Sequence, residues 1–225
     1  MNKDHNKLKL ENVSKLISEG VTIIDPYSIE IRGELVCGKN VTIDINVVFK
    51  GKVFLGNNVI IGANSILEDA IIKNNSTIKP FSIIETSVIG ENTFVGPYAR
   101  IKSSTNIGNN VQIGNFVEIK NSLISENGRI NHLSYIGDSM LESDVTIGAG
   151  TITTNHDGQM INQNIIRKDV SIGSASTLIT PIEVGNGATI GAGCTIYRSV
   201  PPEKLTLSRS KQFSIKKWKR PKKKK

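Results

Sequence analysis

Residues 166–197 read IRKDVSIGSASTLITPIEVGNGATIGAGCTIY, and an aliphatic residue recurs there at every sixth position. The recurring residues are Ile166, Ile172, Leu178, Val184, Ile190 and Ile196. A helix would need spacings of three and four, and a hairpin sandwich would need strict alternation with two-residue turns. A six-residue period instead predicts short strands with a corner after each, stacked as a parallel β-helix with three strands to a turn. The fold class is therefore all-β.

The same period occurs upstream in three registers, which are offset from one another. Their apolar residues are Ile43, Phe49, Leu55, Ile61 and Leu67, then Ile72, Ile78 and Ile84, then Val95, Ile101, Ile107, Ile113 and Ile119. The step shortens to five from Leu67 to Ile72 and from Ile119 to Ile124, which we interpret as tightened corners. About eight to ten turns are expected between residues 20 and 200.

Three residue types move with the apolar position. A small or β-branched residue such as Val53 stands two places before it, where it leaves room inside a narrow tube. Gly often follows directly, as at Gly56 and Gly90, and Asn recurs three places after, as at Asn46 and Asn58. Because Gly and Asn tolerate positive φ, we expect the chain to turn at both.

The flanks of the repeat differ from it and divide the chain into residues 1–20, 21–200 and 201–225. In the first part, residues 6–18 predict a short linker helix with Val13, Leu16 and Ile17 on one face and Gly20 as its C-cap. Pro201-Pro202 ends the repeat and opens an extended arm that is neither helix nor repeat. Roughly ten of the chain's Lys and Arg residues lie in residues 209–225, which contain no acid.

The charge of that run accounts for the whole formal charge of +8, and the rest of the chain is close to neutral. We interpret the run as a solvated terminus or as a segment docked on its own trimer rather than as a nucleic-acid binder, because Trp218 within it is not part of the interleaved set of aromatics expected of a single-strand binder. The two cysteines, Cys37 and Cys194, lie far apart in core slots of the repeat and indicate neither a disulfide nor structural zinc. No apolar run is long enough to span a bilayer, and a cytoplasmic protein is expected.

The repeat breaks at two places, and a regular β-helix offers chemistry only where it breaks. The larger break is residues 153–165, where the periodic apolar residues vanish and the sequence NHDG appears at 155–158. Such a loop leaves the coil and can reach a neighbouring subunit. The second break is residues 131–135, NHLSY, which place His132 on an otherwise bland surface.

At these breaks the sequence closely resembles the C-terminal acetyltransferase domain of the bacterial enzyme that joins glucosamine-1-phosphate acetyltransferase to N-acetylglucosamine-1-phosphate uridylyltransferase. The matching stretches are DP at 25–26, GPYAR at 96–100, GNFVEIK at 114–120, HLSYIGD at 132–138, IGAGTIT at 147–153, Asn155 with DG at 157–158, and WKRP at 218–221. The uridylyltransferase half is not in this sequence, which leaves a stand-alone relative or a segment of a longer chain as alternatives. A separate uridylyltransferase domain is a further partner to consider.

The resemblance implies a left-handed coil, a homotrimer, and direct acetyl transfer from acetyl-CoA to the amine of glucosamine 1-phosphate without a metal. His132 matches the family's catalytic base, since an amine attacks only after losing its proton. Glu118 matches the carboxylate that supports the base, and the backbone amide of Ala149 matches the donor to the oxyanion.

The remaining matches divide into acceptor and cofactor positions. Lys102 and Lys120 match phosphate ligands, and Tyr135, Thr146, Asn155 and His156 stand at sugar-site positions. For acetyl-CoA, Ala149, Ser174 and Ala192 match positions along the pantetheine, and Arg209 matches the residue that holds the nucleotide's phosphate.

Four positions depart from the family pattern, and all lie around the acceptor. Lys102 replaces an Arg and loses its bidentate fork, Thr146 replaces an Asn, His156 replaces a Tyr, and Ile161 stands where a loop Lys is usual. Acetyl transfer is therefore better supported than the identity of the acceptor. The alternative is a hexapeptide acyltransferase for a different amino sugar or for a nucleotide-linked one.

Two other classes of function are alternatives. A β-helical carbonic anhydrase needs three His ligands around a metal, and only His132 and His156 lie in the coil region. The last alternative is a non-catalytic scaffold with a nucleic-acid-binding arm. In such a scaffold His132 would have no catalytic role.

Overall fold

A computed structural model describes residues 3–156, 158–212 and 214, with side chains in the N-terminal helix described from residue 10. Asp157 of the 155–158 motif and the WKRP motif at 218–221 lie outside the described residues, as does most of the basic arm. The described chain forms one short helix followed by a long stack of very short strands.

The helix, α1 (Lys3–Ser18), ends at the predicted C-cap. Gly20 has φ +94°, the Gly20 N–H donates to the Ile17 carbonyl, and the Val21 N–H donates to the Leu16 carbonyl at 3.0 Å. This pair of bonds is the Schellman motif, which satisfies carbonyls left over at a helix end. Val13 and Leu16 are buried as predicted, whereas Ile17 is 45% exposed and does not join the core of the chain.

Twenty-eight strands follow α1 in the described part of the chain. In chain order they are β1 (Thr22–Ile23), β2 (Glu30–Cys37), β3 (Thr42–Ile43), β4 (Val48–Leu55), β5 (Ile60–Ile61), β6 (Ile66–Glu68), β7 (Ile71–Ile72), β8 (Thr77–Ile78), β9 (Ile83–Glu85), β10 (Val88–Ile89), β11 (Phe94–Val95), β12 (Arg100–Lys102), β13 (Asn106–Ile107), β14 (Gln112–Asn115), β15 (Glu118–Lys120), β16 (Leu123–Ile124), β17 (Arg129–His132), β18 (Tyr135–Gly137), β19 (Ser139–Leu141), β20 (Thr146–Ile147), β21 (Ile152–Thr153), β22 (Asn164–Ile166), β23 (Ser171–Ile172), β24 (Thr177–Leu178), β25 (Glu183–Val184), β26 (Thr189–Ile190), β27 (Thr195–Ile196) and β28 (Leu205–Thr206).

The strands build three faces of a prism, and every pairing between the named strands is parallel. Face 1 is an eleven-stranded sheet in the order β1-β3-β5-β8-β11-β14-β17-β20-β23-β26-β28. Face 2 runs from the first halves of β2 and β4 through β6, β9, β12, β15, β18, β21, β24 and β27. Face 3 runs from the second halves of β2 and β4 through β7, β10, β13, β16, β19, β22 and β25. Eleven strands on one face make ten turns, at the upper end of the predicted range.

The core is a column of aliphatic side chains inside the prism, at the positions that the six-residue period predicts. Ile43, Ile78, Ile101 and Ile166 are fully buried, and register pairs such as Ile101 and Ile119 stack them coil on coil. The small residues two places earlier are buried as well, as Val53, Ser76 and Ala99 show. The parallel β-helix is confirmed, and the solenoid is consistent with the left-handed coil that the resemblance implies.

The corners turn at Asn, whereas among the recurring Gly that follow an apolar residue only Gly96 has positive φ, at 96°. Asn46 and Asn58 have φ of 57° each, and Asn92 has φ of 52°, as predicted. The Gly that follows the apolar position has no positive φ at Gly56 or Gly90. A Cβ at Gly90 would lie 2.2 Å from the carbonyl oxygen of Gly108 on the next coil. These glycines therefore permit close stacking of the coils, and the expectation that they supply positive φ was wrong.

The two irregular regions also have structure. Part of the segment between β21 and β22 leaves the coil as predicted, and His156 and Ile161 form an antiparallel bridge inside this excursion. After Pro201-Pro202 the chain does not leave the stack, because β28 pairs with β26 as the last strand of face 1. The arm was expected to be irregular from residue 201, and its first part instead extends the repeat.

No helix in the described ranges is long and apolar enough to span a membrane. Cys194 is 1% exposed and Cys37 is partly buried, and both are free thiols.

Candidate active site

His132 lies in a single column of residues at the corner between faces 1 and 2. Asn115 and His132 are register partners of β14 and β17. The Gly150 N–H donates to the His132 carbonyl at 3.1 Å, the Ala175 N–H to the Ala149 carbonyl at 2.7 Å, and the Gly193 N–H to the Ser174 carbonyl at 2.8 Å. The column therefore reads Asn115, His132, Ala149, Ser174, Ala192 on successive coils, about 4.8 Å apart. We call it the His132 column. It brings the predicted base, oxyanion donor and pantetheine positions into one line.

Asn115 fixes the imidazole. The His132 Nδ1 and Asn115 Oδ1 atoms are 2.5 Å apart. Since the amide oxygen can only accept, Nδ1 donates the proton in this contact, and in the neutral imidazole Nε2 is then the nitrogen with the lone pair. His132 is exposed, so Nε2 is open to a substrate.

Glu118 is engaged elsewhere. Its Oε1 lies 2.6 Å from the Nζ of Lys102, and the described residues contain no bond between Glu118 and His132. The physical reason is register, because Glu118 stands directly above Arg100 on face 2, within diagonal reach of Lys102. The expectation that Glu118 supports the base is not met by a direct contact in the free chain.

The amide N–H groups of the upper column are open. The Ala149, Ser174 and Ala192 N–H groups have no acceptor among the described residues. At the corner between faces 3 and 1 the equivalent groups are bonded, as the Lys39 N–H donates to Asn57 Oδ1 and the Asn57 N–H to Asn74 Oδ1, both at 2.8 Å. Small residues in the His132 column supply no such acceptor. Three N–H donors therefore stand in line above the imidazole.

The predicted acceptor residues gather on face 2, beside this corner. Glu118 pairs in register with Tyr135, and Lys102 with Lys120, on β12, β15 and β18. The Tyr135 ring folds over Gly137, where a Cβ would meet its hydroxyl at 2.6 Å. The Asn155 Nδ2 atom lies 3.5 Å from that hydroxyl, so Asn155 joins the same cluster.

Three predicted residues lie apart from that cluster. Thr146 is in β20 on face 1, which faces a different side of the prism. Arg209 follows β28, and its Nη2 is 3.8 Å from the Cβ position of Gly191, next to Ala192. His156 is in the excursion, where its Nδ1 accepts the Gly158 N–H at 3.0 Å.

An aromatic ladder borders the column, and the sequence did not predict it. Phe81, Tyr98, Phe116 and Leu133 each follow a corner residue and have φ between 54° and 61°, a region that side chains of this size rarely adopt. The Phe81 and Tyr98 rings stack at 4.9 Å, and the Tyr98 and Phe116 rings at 5.2 Å. On the other side of the corner, a groove of about 400 Å³ is lined by His132, Asn115, Pro97 and Lys79.

The sequence analysis also missed Asn115 and Asp138. Both stand inside quoted motifs, GNFVEIK and HLSYIGD. The available signal was the separation of Asn115 from His132, since 17 residues is one coil at a tightened corner. No group of three or more His, Cys, Asp or Glu side chains that could hold a metal occurs in residues 3–156 and 158–212.

Family comparisons match two parts of the chain. The family described as the GMPPB C-terminal domain matches residues 31–105, and the hexapeptide repeat of succinyl-transferase matches residues 163–198. The second match is the stretch in which the six-residue period runs without a slip.

Whole-sequence relatives cover much more. The bifunctional protein GlmU of Azoarcus sp. strain BH72 is 51% identical over 207 residues, which are 92% of this chain and 46% of that protein. The GlmU of Nitrosomonas eutropha is 55% identical over 216 residues, which are 96% of this chain and 47% of that protein. The chain is homologous to part of GlmU. It spans about half the length of these curated relatives, and the family resemblance drawn from the motifs is confirmed.

Among solved structures, a UDP-N-acetylglucosamine acyltransferase from Campylobacter jejuni matches with a TM-score of 0.58 at 18% identity. The match covers 82% of this chain and 70% of that one. At this identity the similarity shows only that the two chains have the same fold.

Proposed function

We propose that the chain transfers the acetyl group of acetyl-CoA to the amine of glucosamine 1-phosphate. The observation that carries this proposal is the alignment of His132 with the Ala149 N–H on the next coil. A base and an oxyanion donor one strand apart bracket the space in which an amine would attack a thioester carbonyl. The homology to GlmU proteins supports the same reaction.

In the proposed reaction, Nε2 of His132 takes a proton from the ammonium group of the acceptor. The amine lone pair then attacks the thioester carbon, and the Ala149 N–H stabilises the oxyanion that forms. Collapse of this intermediate breaks the carbon–sulfur bond. CoA leaves as the thiol after the imidazolium returns the first proton to its sulfur, and the second proton that the nitrogen loses on becoming an amide passes through His132 to solvent.

Acetyl-CoA would lie along the upper half of the His132 column. The open N–H groups of Ser174 and Ala192 suit the amide carbonyls of the pantetheine arm. Arg209 stands at the end of this line, where a guanidinium can bind a phosphate of the nucleotide. The acetyl group would then reach Ala149 from above and face His132.

The acceptor would lie on face 2. Lys102 and Lys120 supply two cations for the phosphate, and Lys102 would exchange Glu118 for the phosphate when the acceptor binds. Release of Glu118 would let it approach the ammonium group beside His132. Tyr135, Asn155 and His156 would contact the sugar.

We also propose that the working assembly is a homotrimer. Thr146 and the residues on face 2 look out from different sides of one prism, so a single chain does not gather every site position that the family resemblance implies. A second copy that places its face 1 against face 2 would complete the set. Ile161, 61% exposed in the excursion, would contact the neighbouring copy.

A different amino sugar, or a nucleotide-linked one, is the second candidate acceptor. The observation in its favour is Lys102, whose ammonium group cannot bind a phosphate through two parallel hydrogen bonds as an Arg does and is paired with Glu118.

The test measures CoA release with glucosamine 1-phosphate, galactosamine 1-phosphate and an amino-sugar nucleotide, for the wild type and for His132→Ala. We expect glucosamine 1-phosphate to give the highest kcat/KM, and loss of the base to lower the rate about 10²- to 10⁴-fold. If kcat/KM with glucosamine 1-phosphate is lower than with one of the other two acceptors, the better acceptor becomes the proposed substrate. Full activity of His132→Ala would end it for all three.

A further inference from the structure

A buried carboxylate lies next to the proposed acceptor site, and its side-chain partners among the described residues are two amides. Asn121, Asp138 and Asn155 follow β15, β18 and β21, so they stack on three successive coils at the corner between faces 2 and 3. The Asn121 Nδ2 donates to Asp138 Oδ1 at 2.5 Å, and the Asn155 Nδ2 donates to Asp138 Oδ2. Asp138 is only 5% exposed.

This ladder differs from the ladders of the coil that are made of amides alone. Asn40, Asn58 and Asn75 also stack on successive coils, with amide bonds of 3.1 and 2.8 Å between them. An amide both donates and accepts, so such a ladder can run in either direction. A carboxylate only accepts. Both neighbours of Asp138 must therefore turn their Nδ2 groups towards it.

The carboxylate of Asp138 fixes the orientation of the Asn155 side-chain amide. Its donor end is committed to Asp138, and the same Nδ2 atom lies 3.5 Å from the Tyr135 hydroxyl. Its Oδ1 atom has no partner in the described part of the chain. The carbonyl end is thus the end left for a ligand.

We propose that Asp138 is a positioning residue, which orients Asn155 so that Oδ1 accepts a hydrogen bond from the amine or a hydroxyl of the acceptor. The proposal rests on the proposed function, because it assigns the polarity of that acceptor site. Asp138 itself does not touch the substrate. With an amide in its place, Asn155 could rotate by half a turn and present a donor, which would repel an ammonium group.

Asp138→Asn makes this change with almost no change in shape, and Asp144→Asn is the matched control. Asp144 has φ of 64°, against 44° for Asp138, and accepts the Asn127 Nδ2 at 2.9 Å in a ladder outside the site. We expect Asp138→Asn to raise the KM for the amino-sugar acceptor about tenfold, in the range of lost outer hydrogen-bond partners, while the KM for acetyl-CoA stays unchanged. Asp144→Asn should leave both constants unchanged. In an Asn155→Ala background, Asp138→Asn should add less than about twofold, since the two residues act as one unit.

A second measurement does not depend on activity. The side-chain NH₂ of Asn155 should show slow hydrogen exchange by NMR in the wild type and fast exchange in Asp138→Asn, with the thermal midpoint of the variant close to that of Asp144→Asn. Equal kinetic effects of the two Asp variants, or a full effect of Asp138→Asn without Asn155, would overturn the proposal. Unchanged exchange at Asn155 would overturn it as well, whether or not the chain acetylates an amino sugar. Absence of acetyl transfer combined with the expected exchange would instead count against the proposed function.

Discussion

His132 Nδ1 and Asn115 Oδ1 lie 2.5 Å apart across two adjacent coils, and this contact selects the tautomer of the imidazole. The register of β14 with β17 places the two residues directly above one another, so the contact follows from the stacking of the coil itself. An imidazole held in this way needs no carboxylate to orient it, and Glu118 pairs with Lys102 instead.

Asn115→Leu should therefore impair the base without unfolding the coil. The side chain keeps its size but loses the acceptor, and we expect kcat to fall about 10- to 100-fold, as for other lost partners of a functional His. Asn115→Asp should instead raise the pKa of His132, because a carboxylate favours the imidazolium. The base works when unprotonated, so the acid limb of the kcat/KM profile should move to higher pH. A profile unmoved by the carboxylate would show that Asn115 does not govern the imidazole.

Lys102 offers a test of the phosphate contact. Lys102→Met should raise the KM for glucosamine 1-phosphate, and Lys102→Arg should lower it, because a guanidinium binds phosphate with two parallel hydrogen bonds. Lys50→Met is the control, since the Lys50 Nζ is 3.2 Å from Glu68 in the same kind of ion pair on the same face. Steady-state kinetics with varied acceptor would check all three variants. An equal rise of KM in Lys50→Met would remove Lys102 from the acceptor site.

The sequence predicted the coil because each turn repeats one local rule. Apolar residues six positions apart can be buried together only if the chain turns between them, so Ile166 to Ile196 already specify the prism. Corner chemistry was predicted in part, since positive φ at Asn58 follows from its side chain. The role of Gly90 was missed because the clash that it avoids is with Gly108, one coil away.

The candidate site was less predictable for the same reason. The residues of the His132 column were named from motif resemblance, but their alignment depends on which corners are tightened and where the excursion begins. The pairing of Glu118 with Lys102, and of Asn155 with Asp138, joins residues about one coil apart. The register between coils decides which side chains at that separation are partners. Because the six-residue period slips several times, the sequence alone does not fix that register to better than one residue.

Gly90→Ala should destabilise the coil in spite of an ordinary φ. The new Cβ would lie 2.2 Å from the Gly108 carbonyl oxygen, which belongs to backbone and cannot rotate away. Overpacking of this kind costs about 1 to 3 kcal/mol. Gly128→Ala is the matched control, because its nearest atom is the Ile124 Cγ2 at 3.2 Å, the end of a side chain. Thermal unfolding should separate the two variants, and equal midpoints would show that close coil stacking is not what requires Gly90.

Cys37 gives a prediction about stability at high pH. Burial, with a smaller contribution from the charge of Glu19, raises the pKa of the Cys37 thiol from 9.0 to about 12. Between these two values the unfolded chain releases a proton that the folded chain retains, so the free energy of unfolding should decrease as pH rises through that window. Below pH 9 the thiol is protonated in both states and contributes no pH dependence.

Urea unfolding at several pH values from 8 to 11 would measure this decrease, with Cys37→Ala as the reference that removes it. The difference between the two proteins isolates Cys37 from the lysines and tyrosines that titrate in the same range. The same burial should keep the thiol slow to alkylate in the folded chain, because the thiolate is the reactive form. Parallel stability curves for the two proteins, or rapid alkylation of folded Cys37 at pH 8, would contradict a protonated, buried thiol.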